Sequence, residues 1–268
     1  MRETLPPIAI SCDDLNSVRA LDNIERTGLP VHGDVIVTNV RRFQDVKQFV
    51  RENRPRIART EPGVHISLFE GDFPAETTGT QLFGEAGLLH RMLHEAEGEH
   101  AHLSRHFRSH FNRWAAQALG KHEQRIRDEM HRQIDVWKQL FGEEAKYLSY
   151  HFGMHFIPFL HATYVQVANE RGIPYRHATQ YTGMPARGAL AVYDGLNDPD
   201  VTGKRVLTAL EKIQKRRRPT EIMVHFGESG YGGAQTRAFL DPRVREEIFR
   251  WHIEMPHTIW SRLQNGNK

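Results

Sequence analysis

A chain of 268 residues can bury a sizeable core, and its 39% hydrophobic and 26% charged residues describe a globular protein with a well-solvated surface. Lys and Arg total 36 against 33 acidic residues, so the pI near 9.0 reflects a small excess of base and gives nucleic-acid binding little support. The N-terminal apolar stretch is too short for a signal peptide, and no run approaches the roughly 18 apolar residues that cross a bilayer, so secretion and a membrane partner are disfavoured. Cys12 is the only cysteine; no internal disulfide can form, and a cytoplasmic location is expected.

Ile8 to Ser11 is an apolar run that leads into Asp13 and Asp14, which predicts a strand delivering two carboxylates to a loop. Asn16 is placed to start the next helix, through Leu21 and Ile24. Val31 to Thr38 predicts a second strand, Phe43 to Arg51 a helix, and Gly63 to Leu68 a third strand. Between about Gly84 and Phe141 the pattern becomes helical and rich in His, Arg and Glu, and reads as an insertion. The alternation then resumes: a strand into His151, a helix from about Phe159 to Asn169, and a short strand near Ile173. Further strands follow at Ala189 to Val192 and Glu221 to Phe226, then a helix marked by Val244, Ile248, Phe249 and His252. The basic run Lys212 to Arg218 reads as a solvated helix terminus. This order predicts an α/β fold, either an open parallel sheet or an irregular or incomplete β/α barrel, as one domain over residues 1–268 with the helical insertion at about 84–141. Both geometries place a site beyond the carboxyl ends of the strands.

Two adjacent carboxylates at a strand end point in different directions, so one can coordinate a cation while the other accepts a proton from water. His65 sits in Gly63-Val64-His65-Ile66-Ser67-Leu68, where alternation sends Val64, Ile66 and Leu68 to one face and His65 to the other. His151 and His155 in HFGMHFIP are brought together either on a helix face or at a strand end followed by a loop. Imidazole with carboxylate suits several divalent metals, Mg2+ or Zn2+ among the candidates, without selecting one. His225 ends the apolar segment Glu221 to Val224 and could protonate a leaving nitrogen or orient a tetrahedral intermediate. The glycines of GESGYGG could shape the mouth of a site, but they fit neither a phosphate-binding loop nor a nucleophile elbow.

SCDDLN, GVHISL, SYHFGMHFIP, RGIPYR and TEIMVHFG occur in that order through most of the chain. Together they resemble the YdjC-like carbohydrate deacetylases, which include chitooligosaccharide deacetylases and adopt an irregular β/α barrel. The resemblance implies Asp14 as a metal-binding aspartate, Asp13 as the neighbouring general base and His65 as a metal-binding histidine. It aligns Ser149, His151 and His155 with a stretch that in the family carries three alternating histidines, and Gly153 stands at the middle one. Leu15 replaces the aromatic residue usual after the paired acids. The expected activity is metal-dependent release of acetate from an N-acetylated carbohydrate, with His225 as the proton donor; a homo-oligomer is compatible with this reading. The alternative is a noncatalytic YdjC-like binding or interaction protein with an altered metal site. His102, His106 and His110 in the middle read as a solvated helix face, and Trp114, Trp137, Tyr181 and Tyr231 are candidates to cover a sugar ring.

Overall fold

The computed structural model describes residues 5–37, 43–68, 113, 116–117, 119–151, 158–177, 190–193, 195–196, 198–227 and 230–265. Six parallel strands form one sheet: β1 (Ile8–Cys12), β2 (His32–Val35), β3 (Gly63–Ile66), β4 (Leu148–Tyr150), β5 (Ala191–Tyr193) and β6 (Thr220–Val224), in the order β4-β3-β2-β1-β6-β5. Parallel strands covered on both faces read as unbroken apolar runs, and every residue of β1 and β6 is buried. The sheet curls without closing: among the described residues, the outer edge of β4 carries only a bridge from Leu148 to Tyr175, and nothing joins it to β5. Of the two geometries that the alternation allows, this is the incomplete β/α barrel.

Helices cover the sheet. Helix α1 (Val18–Thr27) buries Ala20, Leu21 and Ile24; its N-cap is Ser17, which accepts from the Ala20 amide, and not Asn16. Helix α2 (Phe43–Ala58) runs past the predicted end at Arg51. Helix α3 (Glu123–Phe141) packs on α2, on β3 and on α4 (Pro158–Arg171). It is the longest described element of the predicted insertion; residues 84–112, with His102, His106 and His110, lie outside the described residues. Trp137 of α3, a candidate for sugar contact, is 1% exposed and stacked on Phe141 at 3.8 Å, because it continues the apolar stripe of Ile126, Met130 and Ile134 into the core. Trp114, Tyr181 and the side chain of Tyr231 lie outside the described residues.

The C-terminal third adds α5 (Gly203–Arg216), α6 (Gly230–Leu240), α7 (Pro242–Ile248) and α8 (Pro256–Asn265). The basic run closes α5, as expected, with Arg217 as its left-handed cap. Among the described residues, no helix is long and apolar enough to cross a membrane.

Candidate metal centre

The backbone brings the predicted polar residues to the carboxyl ends of the strands. Beyond β1, the Asp13 amide donates to Val224 O at 2.8 Å and the Leu15 amide to Asp34 O at 2.8 Å, so β6 and β2 pin the turn from both sides. Between these anchors Asp14 takes φ 58°, a left-handed conformation that Asp tolerates better than most residues. The His151 amide donates to Ile66 O at 2.8 Å, extending the β3–β4 ladder one step and setting His151 beside β3. Gln133 of α3 pairs with the Ser67 backbone through both amide atoms, at 3.0 and 2.6 Å, and fixes the end of β3.

The residues just after β6 are tied to α6. Gln235 accepts from the His225 amide, and the Thr236 hydroxyl meets both the amide and the carbonyl of Gly227, at 3.2 and 3.0 Å. Within GESGYGG a helix begins at Gly230, and residues 228–229 lie outside the described residues. Gly232 serves close approach, since a Cβ there would lie 2.7 Å from His225 O.

Asp14 stands among three imidazoles. His151 Nδ1 lies 2.9 Å and His65 Nε2 3.4 Å from its Oδ1, and His225 Nε2 lies 3.7 Å from Oδ2. Burial acts to raise the Asp14 carboxyl, but the contacts with His151, His65 and His225 outweigh it and hold the group well below the usual carboxylate range. His65, 1% exposed, is pushed down to about 3 by its burial and is therefore neutral, the state a metal ligand requires. Its Nδ1 lies 2.6 Å from Ser149 Oγ, because the β3–β4 register sets Ser149 opposite His65. Atoms of Asp14, His65 and His151 lie within 4.8 Å of one another, and one carboxylate with two imidazoles is a donor set that fits a divalent ion.

Asp13 faces the other way. Its two oxygens receive Arg176 Nη1 and Nη2, each at 2.8 Å, while Oδ2 remains 3.8 Å from His65 Nε2. Arg176 is fully buried and also reaches Asp34 Oδ2 at 3.1 Å and Glu221 Oε1 at 2.6 Å. His32 Nε2 lies 3.2 Å from Asp34 Oδ1, and the Tyr147 hydroxyl donates to Glu221 Oε2 at 2.8 Å. Burial pushes the Asp13 carboxyl up to about 7, and only part of that shift is offset by Arg176.

Of the residues singled out from sequence, Asp13, Asp14, His65, His151 and His225 meet in this cluster, and His155 lies outside the described residues. His151 directly follows β4, and residues 152–157 of the HFGMHFIP stretch lie outside the described residues. Sequence reasoning missed Arg176, Asp34 and Glu221. The available signal was charge inside apolar strands, as in Val31-His32-Gly33-Asp34-Val35-Ile36-Val37.

Among curated proteins, none matches the chain. A crystal structure from Enterococcus faecalis V583, of a protein assigned provisionally to cellobiose-phosphate cleavage, superposes with a TM-score of 0.66 at 12% identity, covering 96% of this chain and 99% of that one. The catalytic domain of a peptidoglycan N-acetylglucosamine deacetylase from Eubacterium rectale ATCC 33656 gives a TM-score of 0.47 at 11% identity, covering 95% and 90%, too low to establish a common fold. The family model described as YdjC-like protein matches residues 35–249, a span that leaves Asp13 and Asp14 outside and takes in His65, His151, Arg176 and His225. With four-fifths of the chain inside that match, the protein belongs to the YdjC-like family.

Proposed function

We propose that the chain is a divalent-metal-dependent hydrolase that releases acetate from an N-acetylated carbohydrate. The observation that carries the reading is a pair of neighbouring carboxylates with opposite surroundings. Asp14 is set among imidazoles, whereas Asp13 is held by a guanidinium. A divalent ion held by Asp14, His65 and His151 would supply Lewis acidity toward the acyl oxygen and an acidified water; two nitrogen donors favour Zn2+ over Mg2+.

The protein residues do the proton work. Asp13, pushed up to about 7, is matched to accept a proton near neutral pH on a lone pair not used by Arg176. His225, across Asp14, gives a proton to the departing amine. The carbohydrate part of the reading rests on the family's motifs, and the cytoplasmic setting on the lone, buried thiol of Cys12.

The test is acetate release from N-acetylated oligosaccharides by protein stripped with chelator and reloaded with Zn2+. Release that follows reloading supports the assignment. Gly153, in place of a family histidine, favours the competing reading of a noncatalytic relative that binds without turnover. Metal-replete protein that hydrolyses nothing across a panel of N-acyl sugars would establish that alternative.

A further inference from the structure

Beside the Asp14, His65 and His151 set lies a second group with ligand spacing: Asp13, Asp34 and His65 also present atoms within 4.8 Å of one another, all buried. A cation already stands at that group, as part of the chain. Arg176 Nη2 collects an oxygen from each of Asp13, Glu221 and Asp34, at 2.8, 2.6 and 3.1 Å. Nη1 takes the other Asp13 oxygen at 2.8 Å, and Nε takes Glu221 Oε1 at 3.0 Å. Arg176, Asp34 and Glu221 are fully buried and Asp13 is 2% exposed, so solvent does little to separate the carboxylates. Converging buried carboxylates without a cation would repel strongly, and their hard oxygens would suit Mn2+ or Mg2+.

We infer that Arg176 is this chain's built-in substitute for a second metal ion, clamping Asp13, Asp34 and Glu221 together and limiting the centre to one exchangeable divalent ion. Two-ion hydrolases set their metals roughly 3.5–4 Å apart and clamp the reacting oxygens between them. A guanidinium supplies one positive charge where a divalent ion would supply two, and it offers no open coordination position. It cannot lose its proton, and its planar fork fixes where the carboxylate oxygens sit. It therefore orients Asp13 without binding water, as a positioning residue. The limit of one exchangeable ion rests on the Asp14 reading above, whereas the clamp does not.

Metal stoichiometry tests this. Mn2+ bound per chain is measured by elemental mass spectrometry after gel filtration, for the parent, Arg176→Ala, Arg176→Lys, and Arg176→Ala combined with Asp34→Asn. The expected result is one more Mn2+ in Arg176→Ala than in the parent, no gain in Arg176→Lys, and loss of the extra ion in the double variant. A gain from none to one would uphold the clamp and sink the Asp14 reading. One ion in both parent and Arg176→Ala would sink the clamp and leave the Asp14 reading standing; none in either would sink both. If Arg176→Ala is insoluble alone, folding with millimolar Mn2+ present supports the substitution, and failure to fold even then counts against it, as the ion would not replace the guanidinium.

Discussion

Replacing Ser149 with alanine should weaken metal binding without touching a donor atom. Ser149 Oγ lies 2.6 Å from His65 Nδ1 and 3.5 Å from Val64 O, inside a site where Ser149 is fully buried. For Nε2 to bind a cation, the imidazole proton must sit on Nδ1, and the hydroxyl is the acceptor that holds it there. The hydroxyl's own proton turns toward Val64 O, which leaves an oxygen lone pair to accept from Nδ1–H. Alanine leaves Nδ1 with no partner in a place water does not reach, at a cost of about 1–3 kcal/mol in stability. Outer partners of metal-bound histidines are typically worth about 10–100-fold in affinity. The assay is Zn2+ calorimetry on Ser149→Ala and Ser149→Thr, paired with thermal melts. Ser149→Thr keeps the hydroxyl and should restore affinity. An alanine variant that binds Zn2+ within about threefold of the parent, well inside that range, would refute the tautomer argument.

Four further outcomes are expected. Asp14→Asn keeps a residue that tolerates φ 58° while removing the charge, so it should fold and lose Zn2+ affinity at least about tenfold; Asp13→Asn should bind metal and lose turnover, and equal activity would remove Asp13 as base. His161 is fully buried, neither ring nitrogen has a hydrogen-bond partner, and burial pushes it from 6.5 down to about 4. The unfolded chain therefore takes up a proton first as pH falls, so stability complete above pH 6.5 is lost toward pH 4, by on the order of 3 kcal/mol. His161→Phe should flatten the urea-midpoint profile over that window, and parallel profiles would contradict the assignment. A Cβ on Gly63 would lie 2.7 Å from the Tyr147 carbonyl and 2.9 Å from both Asp34 Oδ1 and His32 Nε2. Gly63→Ala should accordingly cost about 1–3 kcal/mol in chemical denaturation, and an unchanged midpoint would mean that the β3 backbone yields freely.

The sheet was legible because buried parallel strands carry their burial openly: Ile8 to Cys12 and Ile222 to Val224 have few polar interruptions, and their spacing left room for helices. Asp13, Asp14, His65, His151 and His225 could be picked out because each sits at or near the end of such a run. Arg176 could not, since its partners Asp13, Asp34 and Glu221 lie in three separate strand segments and local sequence shows an arginine after a tyrosine. Helix α6 was hidden for a different reason: Gly230, Gly232 and Gly233 argue against a helix by propensity, and only the tertiary ties of Gln235 and Thr236 to the loop after β6 explain its position. Trp137 was misjudged as a sugar contact although its spacing from Ile126, Met130 and Ile134 already marked a core stripe.

The pairing of β1 with β6 also sets a schedule. Ile8 aligns with Thr220 and Cys12 with Val224, so the strand that carries Asp13 and Asp14 lacks one of its neighbours until most of the chain has been synthesised. At about 5–20 residues per second, a nascent chain waits on the order of tens of seconds between making those two carboxylates and making the strand that pins them. During that interval the turn that carries Asp13 and Asp14 lacks the Val224 carbonyl that accepts from the Asp13 amide. On the proposed metal reading, chains released before β6 emerges should copurify with no tightly held ion.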